Sequence, residues 1–276
     1  MITSRPLRAF FGVLKVVLIL AYLIPLGWIV LTSLKDQAAV LQDPNGLIFT
    51  PTLQAYTDLF QTSVGAIVTS LQIAVLVTAA VVLLAVPAAF ALARRANVWV
   101  ARVIAIGLAV LLVLQMIPQP MTVIPLYSVL ASWGLLGSLG GLIIADIALM
   151  LPFAIMILRP FAMSIPRALY EAAEIDGATA WRSFRSITVP MMGNGIFTLM
   201  SVVFIGAWGE FVYAINFLPQ GTVLPVSGLL ASQNTTYAAN WNNLMALAVI
   251  TSLPLLVVFI VSQRRLINGL SLGAVK

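Results

Sequence analysis

The chain alternates between long apolar stretches and short segments that hold its charged residues. A helix that crosses the hydrocarbon core of a bilayer needs about 20 mostly apolar residues. The pattern therefore predicts six membrane-spanning helices and an all-α, polytopic membrane protein. The predicted spans are residues 11–34, 64–93, 103–118, 139–158, 195–217 and 243–263.

Three segments that connect these spans have a recognisable character. Pro118, Pro120 and Pro125 are expected to break helix between spans 3 and 4, and residues 126–136 fit a short interfacial helix. Residues 220–243 are rich in Asn, Thr and Gln, which suits a loop that meets a partner or a solute. We expect the first apolar run to be a retained signal anchor, because it is longer than the apolar region of a cleaved signal peptide.

The basic residues fall almost entirely on one side of the predicted membrane. With six spans, 13 of the 14 Lys and Arg residues lie on the side of the two termini, and Lys35 is the exception. Lys and Arg are enriched in cytoplasmic segments. The sequence therefore predicts that both termini are cytoplasmic, and a different number of spans would scatter the arginines over both sides.

Composition narrows the classes of protein that remain. Hydrophobic residues make up 62% of the chain and charged residues 8%, whereas a soluble domain has roughly 45–50% apolar and about 25% charged residues. The chain has no cysteine and no histidine, which excludes disulfides and the commonest general base and metal ligand. The net charge is +6, and the basic residues lie beside the apolar spans. Membrane orientation therefore explains them better than nucleic-acid binding does.

One long polar segment, residues 164–190, lies between spans 4 and 5 and holds three of the eight acidic residues. We expect two short helices, with Ser164 as the N-cap of the first, a bend at Asp176-Gly177 where Asp176 caps the second, and an end at Pro190. The segment could dock on a partner protein or lie on the membrane surface. Its acids favour docking, since anionic headgroups would repel them.

This segment resembles the EAA loop of binding-protein-dependent, type I ABC importer permeases. The residues that carry the resemblance are Glu171, Ala172, Ala173, Asp176, Gly177, Ala178, Phe184 and Pro190. The Trp208–Phe211 stretch and the ending Gln263–Lys276 are similar to the carbohydrate-importer branch, and to MalG-like maltose permease subunits within it. The resemblance covers nearly the whole chain.

The resemblance implies a division of labour between several polypeptides. The eight loop residues would couple this chain to a cytoplasmic ATPase, and the tail 268–276 would reach towards the ATPase dimer. The chain lacks a phosphate-binding loop and would not be catalytic itself, so ATP and Mg would bind in two partner ATPase subunits. A second homologous permease and an extracytoplasmic solute-binding protein would complete a carbohydrate importer in the bacterial inner membrane.

The same resemblance implies three regions along the chain. Residues 1–62 would form the first span and an outer loop, residues 63–263 would form the core transmembrane domain with the loop 164–190, and residues 264–276 would form a cytoplasmic tail.

Two acidic residues fall within predicted spans, where an ionised group costs about 2.5–3.5 kcal/mol on insertion scales. Glu210 could face the solute path or pair with a partner subunit, and Asp146 could face the solute cavity or accept a helix–helix hydrogen bond. Carboxylates, amides and aromatic rings suit sugar binding, although Trp and Tyr are also interfacial anchors. The candidate substrate-path residues are Glu210, Trp208, Tyr213, Asn216, Gln115 and Asp146.

Three other classes of protein are alternatives to an importer permease. A secondary transporter or channel predicts relay residues in several spans or an internal repeat, and neither is evident. An ABC exporter would not explain the EAA loop. A scaffold without a transport path is the third alternative.

Overall fold

The computed structural model describes residues 5–93, 98–218, 224–233 and 240–274, with side chains from residue 10 to residue 263 within those ranges. Every regular element in the described ranges is helical. The helices are α1 (Arg5–Ser33), α2 (Gln37–Gln42), α3 (Gln54–Ala93), α4 (Val98–Gln115), α5 (Gln119–Ser132), α6 (Leu139–Met163), α7 (Arg167–Ile175), α8 (Ala180–Ser183), α9 (Val189–Met191), α10 (Gly193–Trp208), α11 (Val212–Phe217), α12 (Val226–Ser232) and α13 (Trp241–Ala274), with a π-helical turn at Phe184–Thr188.

Five helices in the described part of the chain are long and apolar enough to cross a membrane, and a sixth candidate is a bent helix pair. The five are α1, α3, α4, α6 and α13, and the bent pair joins Ala180–Met191 to Gly193–Trp208 at 71°. The five agree in place with five of the predicted spans, and Gly193–Trp208 overlaps the predicted fifth span, so the all-α polytopic fold is confirmed. The large apolar side chains along α1 and α4 are mostly exposed, as suits surfaces that meet lipid or other subunits.

Several predicted boundaries were wrong, and prolines explain one of them. Pro118 is the N-cap of α5, Pro120 lies in its first turn and Pro125 lies inside it, so α5 begins before the predicted interfacial helix. Proline is tolerated in a first turn because those N–H groups have no intrahelical acceptor. Helix α3 begins about three turns before the predicted span, and α4 begins before Arg102.

Two expectations fall partly outside the described residues. Residues 220–223 and 234–239 of the predicted polar loop are not described, and α12 lies in the part between them. The tail 268–276 is helical as far as Ala274, but its side chains lie outside the described set. Part of the charge asymmetry rests on Arg94, Arg95, Arg264 and Arg265, whose side chains also lie outside the described set.

The chain forms two compact units, the first comprising Met1–Val64 with Leu229–Leu253 and the second comprising Gly65–Gly228 with Pro254–Lys276. In the first unit, the Lys35 ammonium donates to the carbonyl oxygens of Asp43 at 3.2 Å and Pro44 at 3.0 Å, and it lies over the Phe49 ring. Lys35 is 2% exposed. The one basic residue that departs from the charge asymmetry therefore has a structural role in its own segment.

In the second unit, Val and Ala residues form a buried face of α3. On α3, Val77, Val81, Ala85 and Ala89 repeat every four residues and are fully buried. Such a spacing places them on one helix face. Small residues on that face let neighbouring helices approach closely, which is the usual basis of packing between helices in membranes.

Candidate functional site

The first part of the predicted coupling loop is α7, a two-turn helix that begins after Pro166. The prediction that Ser164 caps this helix was wrong, because Ser164 ends α6, where its backbone N–H donates to the Pro160 carbonyl. Pro166 takes the N-cap position instead. The loop therefore leaves the span with a two-residue connection, Ile165-Pro166, before α7 begins.

Helix α7 ends in a Schellman motif, and Gly177 makes the motif possible. The Gly177 N–H donates to the Glu174 carbonyl and the Ala178 N–H donates to the Ala173 carbonyl. Gly177 has φ +73°, as the bend predicted. An added Cβ at Gly177 would meet no atom within 4 Å. The requirement for glycine is therefore conformational rather than steric.

The second part of the loop is less regular than predicted. Thr179, not Asp176, caps α8, and its side chain accepts a hydrogen bond from the Arg182 N–H. Residues 184–188 form a π-helical turn, and α9 then includes Pro190 rather than ending at it. Proline has no N–H, so it interrupts the regular hydrogen-bond ladder where it lies. π-helical turns occur often at functional sites.

Aromatic side chains hold this loop against the end of α3. The Phe90 ring centroid lies 5.2 Å from that of Phe184 and 6.2 Å from that of Tyr170. The Tyr170 and Thr188 hydroxyls are 2.9 Å apart. Both halves of the loop therefore contact one residue of a spanning helix.

The end of α3 is also tied to α6. The Arg159 Nε donates to the Leu92 carbonyl at 3.2 Å. That carbonyl is in the last turn of α3, where carbonyl groups have no intrahelical donor. The span that leads into the loop is thus joined to α3 at the base of the loop.

The opposite side of the loop is exposed. Of the eight predicted coupling residues, Glu171, Ala172, Asp176, Gly177 and Pro190 are exposed and the other three are half-buried. Two large apolar side chains lie among them, Ile175 at 88% and Trp181 at 68% exposure. Exposed apolar side chains next to acidic groups are typical of a surface that binds another protein.

The second region with unusual chemistry is a break in the fifth span at Gly209-Glu210-Phe211. Helix α10 ends at Trp208 and the short helix α11 begins at Val212. The prediction of a continuous helix over 195–217 was therefore wrong.

The Glu210 carboxylate explains this break. It accepts hydrogen bonds from the N–H groups of Tyr213 at 2.7 Å and Ala214 at 3.0 Å, so it caps α11. A side chain that accepts from backbone N–H groups three and four residues ahead starts a new helix instead of continuing the old one.

Side chains from α5 complete the polar cluster at this break. Gln119 Nε2 donates to Glu210 Oε1 at 2.8 Å, and the Thr122 hydroxyl is hydrogen-bonded to the Tyr213 hydroxyl. The Ser227 hydroxyl donates to the Glu210 carbonyl. Charge-assisted hydrogen bonds such as those to a carboxylate are the stronger kind, so the break is held by well-formed contacts.

Asp146 differs from Glu210, although both are acids within the spans. Asp146 is 0% exposed, and neither carboxylate oxygen accepts a hydrogen bond from any described residue. The expected helix–helix hydrogen bond is therefore not found in the described part of the chain. Because the side chain is fully enclosed, it does not face an open solute cavity in this conformation either.

The other candidate path residues divide by exposure. Trp208 is buried and stacks on Phe204, whereas Gln115 and Asn216 are exposed. Gln115 Nε2 donates to the Leu149 carbonyl on α6, and Asn216 Nδ2 donates to the Val212 carbonyl. The structure brings Glu210 and Tyr213 into one cluster, and a role in a substrate path stays a prediction for all six residues.

Sequence reasoning missed Gln119, Thr122, Ser70 and Ser227. Ser70 Oγ accepts a hydrogen bond from the Val226 N–H at 2.9 Å, across 156 positions of sequence. Gln119 and Thr122 lie 91 positions from their partners. The only signal available was the presence of a Gln and a Thr within the apolar, proline-rich segment after the third span.

Comparisons with known proteins agree with the loop's resemblance. Residues 85–271 match the family of binding-protein-dependent transport system inner membrane components, and the chain belongs to this family. It is similar to the sulfoquinovosyl glycerol transport system permease protein SmoH of Agrobacterium fabrum, with 32% identity covering 99% of this chain and 95% of that protein. It is also similar to the trehalose transport system permease protein SugB of Mycobacterium tuberculosis, with 32% identity covering 98% of each.

A solved structure shows the same fold. One chain of a bacterial ABC transporter involved in the import of the acidic polysaccharide alginate matches with a TM-score of 0.77 and 21% identity. The match covers 96% of this chain and 99% of that chain. The chain therefore matches the family by sequence and the solved transporter chain by fold.

Proposed function

We propose that this chain is one of two permease subunits of an ATP-driven carbohydrate importer. The observation that carries the proposal is the exposed surface around α7, formed by Glu171, Ala172 and Asp176 and ended by the left-handed Gly177. We call it the coupling surface, after the role that the proposal gives it. Family membership supports it, because the matched family comprises membrane components of binding-protein-dependent transport systems.

The proposal assigns the remaining functions to other polypeptides. Two ATPase subunits bind ATP and Mg and receive the coupling surface, a homologous permease forms the other half of the path, and a binding protein delivers the solute. A related alginate importer was solved in complex with its oligosaccharide-bound periplasmic protein. Its likeness supports this assignment by fold.

The proposal also fixes topology. Both termini and the loop 164–190 lie on the cytoplasmic side of the inner membrane, residues 63–263 form the transport core, and residues 264–276 extend towards the ATPases. The support is the distribution of Lys and Arg in the sequence. Lys35, on the other side, has a structural role in its own unit.

Carbohydrate is the proposed solute class because the similar chains carry carbohydrate names. The relatives are permease proteins for sulfoquinovosyl glycerol, trehalose and diacetylchitobiose. These solutes differ in charge and size, but each is a glycoside with many hydroxyl groups. A path for such solutes requires side chains that form hydrogen bonds with hydroxyl groups, such as amides and carboxylates.

Reconstitution of the four-component complex in proteoliposomes tests the proposal. Labelled trehalose, diacetylchitobiose and sulfoquinovosyl glycerol are offered outside with the binding protein, and ATP is enclosed inside. We expect uptake of at least one glycoside that requires ATP and the binding protein. Uptake that continues with an ATPase variant unable to hydrolyse ATP would contradict the proposal.

A further inference from the structure

A cavity of about 550 Å³ lies at the base of the loop 164–190, within the second unit. Ligand pockets in proteins usually have volumes of about 300–1,000 Å³. Part of the lining is apolar and comes from the last turns of α3 and α6 and from the connection between α6 and α7: Phe90, Ala93, Ala162, Met163 and Ile165. Because α3 and α6 are both candidate spans that end here, the cavity lies where spanning helices leave the hydrocarbon core.

Helix α7 turns one face towards this cavity. Four of its residues line the cavity, and they are Arg167, Tyr170, Glu171 and Glu174. Their spacing of three and four residues places them on one side of the helix. Ala168 and Ala172 are exposed and do not line the cavity, so α7 has a second face directed away from it. Glu171 lies at the border between the cavity and the coupling surface.

The polar side of the cavity carries both signs of charge. Arg167 and Glu171 are one helical turn apart, and neither side chain has an ion pair or hydrogen bond to another described residue. An acid that precedes a base by four residues is the favoured order on a helix, and here the order is reversed. The guanidinium and the carboxylate therefore both keep hydrogen-bonding capacity for a ligand, and Glu174 adds a second carboxylate one turn further on.

The lining also includes two aromatic rings. The Phe90 and Tyr170 ring centroids lie 6.2 Å apart, and the face of an aromatic ring attracts a cation. A guanidinium binds phosphate well because its N–H groups match two phosphate oxygens. A ligand that suits the whole cavity therefore has a phosphate for Arg167, an ammonium for the carboxylates and rings, and an apolar part for the span ends.

We propose that this cavity binds a zwitterionic phospholipid with a phosphoethanolamine headgroup. Arg167 binds the phosphate, Glu171 and Glu174 accept hydrogen bonds from the primary ammonium, and the acyl chains follow the apolar ends of α3 and α6. A phosphate and an ammonium joined by two carbons match side chains that are one helical turn apart. A purely anionic headgroup fits less well, because the two carboxylates repel it. The inference goes beyond the proposed function and does not depend on the solute.

Lipid binding to the full complex, measured by native mass spectrometry, tests the proposal. Phospholipids with ethanolamine, choline and glycerol headgroups and the same acyl chains are titrated separately. We expect the ethanolamine lipid to bind tightest and Arg167→Gln to weaken that binding about tenfold, since it removes the phosphate contact. Arg182→Gln, at an exposed position of α8 that does not line the cavity, is the control and should change nothing. Equal binding of the ethanolamine and glycerol lipids, or equal losses from the two variants, would overturn the proposal.

Removal of the two carboxylates tests which headgroup the cavity selects. Glu171 and Glu174 are exposed, so the double variant Glu171→Gln with Glu174→Gln is expected to fold. Arg167 remains in that variant, and nothing in α7 then repels an anionic headgroup. We expect the preference to move from the ethanolamine lipid to the glycerol lipid. A double variant with the preference of the parent would contradict the assigned contacts.

The melting temperature of the same complex distinguishes the source of the headgroup. A ligand that binds only the folded state raises the melting temperature, so the ethanolamine lipid should raise it in the parent and less in Arg167→Gln. Soluble glycerophosphoethanolamine lacks acyl chains, and an equal rise with it would overturn the assignment to a lipid. Because the complex contains every partner protein, a partner segment in the cavity would abolish lipid selectivity and also overturn the proposal. Selective lipid binding by a complex that imports no glycoside would instead count against the proposed function alone.

Discussion

The loop of residues 164–190 and the break at Glu210 both contain acids next to aromatic residues, but the two use them in opposite ways. Glu171 and Asp176 are exposed, and Glu210 accepts three hydrogen bonds inside the chain. Water solvates a surface acid, which leaves it available to a partner protein. A buried acid must find donors in its own fold, and Glu210 breaks a spanning helix to do so.

This difference shows which functional features can be inferred from the sequence of one chain. The exposed loop carries its signal in local sequence, because a short helix, a glycine bend and a cap need only neighbouring residues. The break depends on residues far apart in sequence that meet after folding. The first region predicts partners, whereas the second predicts how the chain is stabilised.

The largest expected effect comes from Gly177→Val. A β-branched residue at φ +73° costs roughly 1–2 kcal/mol or more and would unwind the Schellman end of α7. We expect uptake to fall about tenfold or more while ATP hydrolysis continues. The measurement is the ratio of solute imported to ATP hydrolysed.

Gly134→Val is the matched control for this variant. Gly134 also has positive φ, at +68°, and an added Cβ there would meet no atom within 4 Å. Gly134→Val imposes the same kind of backbone strain as Gly177→Val, but at a position outside the loop. Equal loss of coupling from both variants would show that strain, rather than the loop's docking, causes the effect.

Glu210→Leu is expected to have the next largest effect, on stability. It leaves Gln119 and two backbone N–H groups without their acceptor, which should lower the free energy of unfolding by about 3 kcal/mol or more. Glu210→Gln keeps an acceptor oxygen and should lose less. Denaturant titration of the purified chain in detergent measures both, and a Glu210→Leu chain as stable as the parent would refute the capping role.

Ser70→Ala should destabilise the second unit to a smaller extent. It removes the acceptor of the buried Val226 N–H and should cost about 1–3 kcal/mol of unfolding free energy. Ser63→Ala is the control, since Ser63 Oγ is buried without a partner among the described residues. We expect that change to be neutral or stabilising. If Ser63→Ala is the more damaging of the two in the same titration, this assignment fails.

The smallest effect is expected from Phe90→Leu. Leucine keeps most of the apolar area but loses the ring contacts to Tyr170 and Phe184, which contribute about 0.5–1.5 kcal/mol. Unfolding free energy should change little, while coupling between ATP hydrolysis and uptake should weaken. Phe153→Leu, at an exposed position within α6, provides a comparison, and an equal loss of coupling there would argue against a special role for Phe90.

Sequence alone predicted where the five long spanning helices lie, because the length and apolarity of a span are local properties. It also predicted the bend at Gly177, because an Asp-Gly pair between two helix-forming segments has few other conformations. It misplaced the cap of α7, because α6 extends to Ser164 and Pro166, two residues later, takes the N-cap position. Competition between two helices for one residue cannot be judged from propensity.

The break in the fifth span was not predictable in the same way. An apolar stretch of about 23 residues normally predicts one continuous helix, and a single Glu within it does not reveal whether it will cap a new one. The donors from α5 that stabilise the break come from a segment where prolines predicted irregular structure. Pro120 and Pro125 instead lie within α5, the helix that presents Gln119 and Thr122.

Cross-linking from the coupling surface tests the central claim most directly. A photoreactive maleimide on Ile175→Cys, 88% exposed at the end of α7, is compared with the same label on Ile48→Cys, 101% exposed in the first unit. In the reconstituted complex, we predict that the Ile175→Cys label forms an adduct with an ATPase subunit, while the Ile48→Cys label does not. An ATPase adduct from Ile48→Cys and none from Ile175→Cys would contradict the proposed coupling surface and the orientation of the chain.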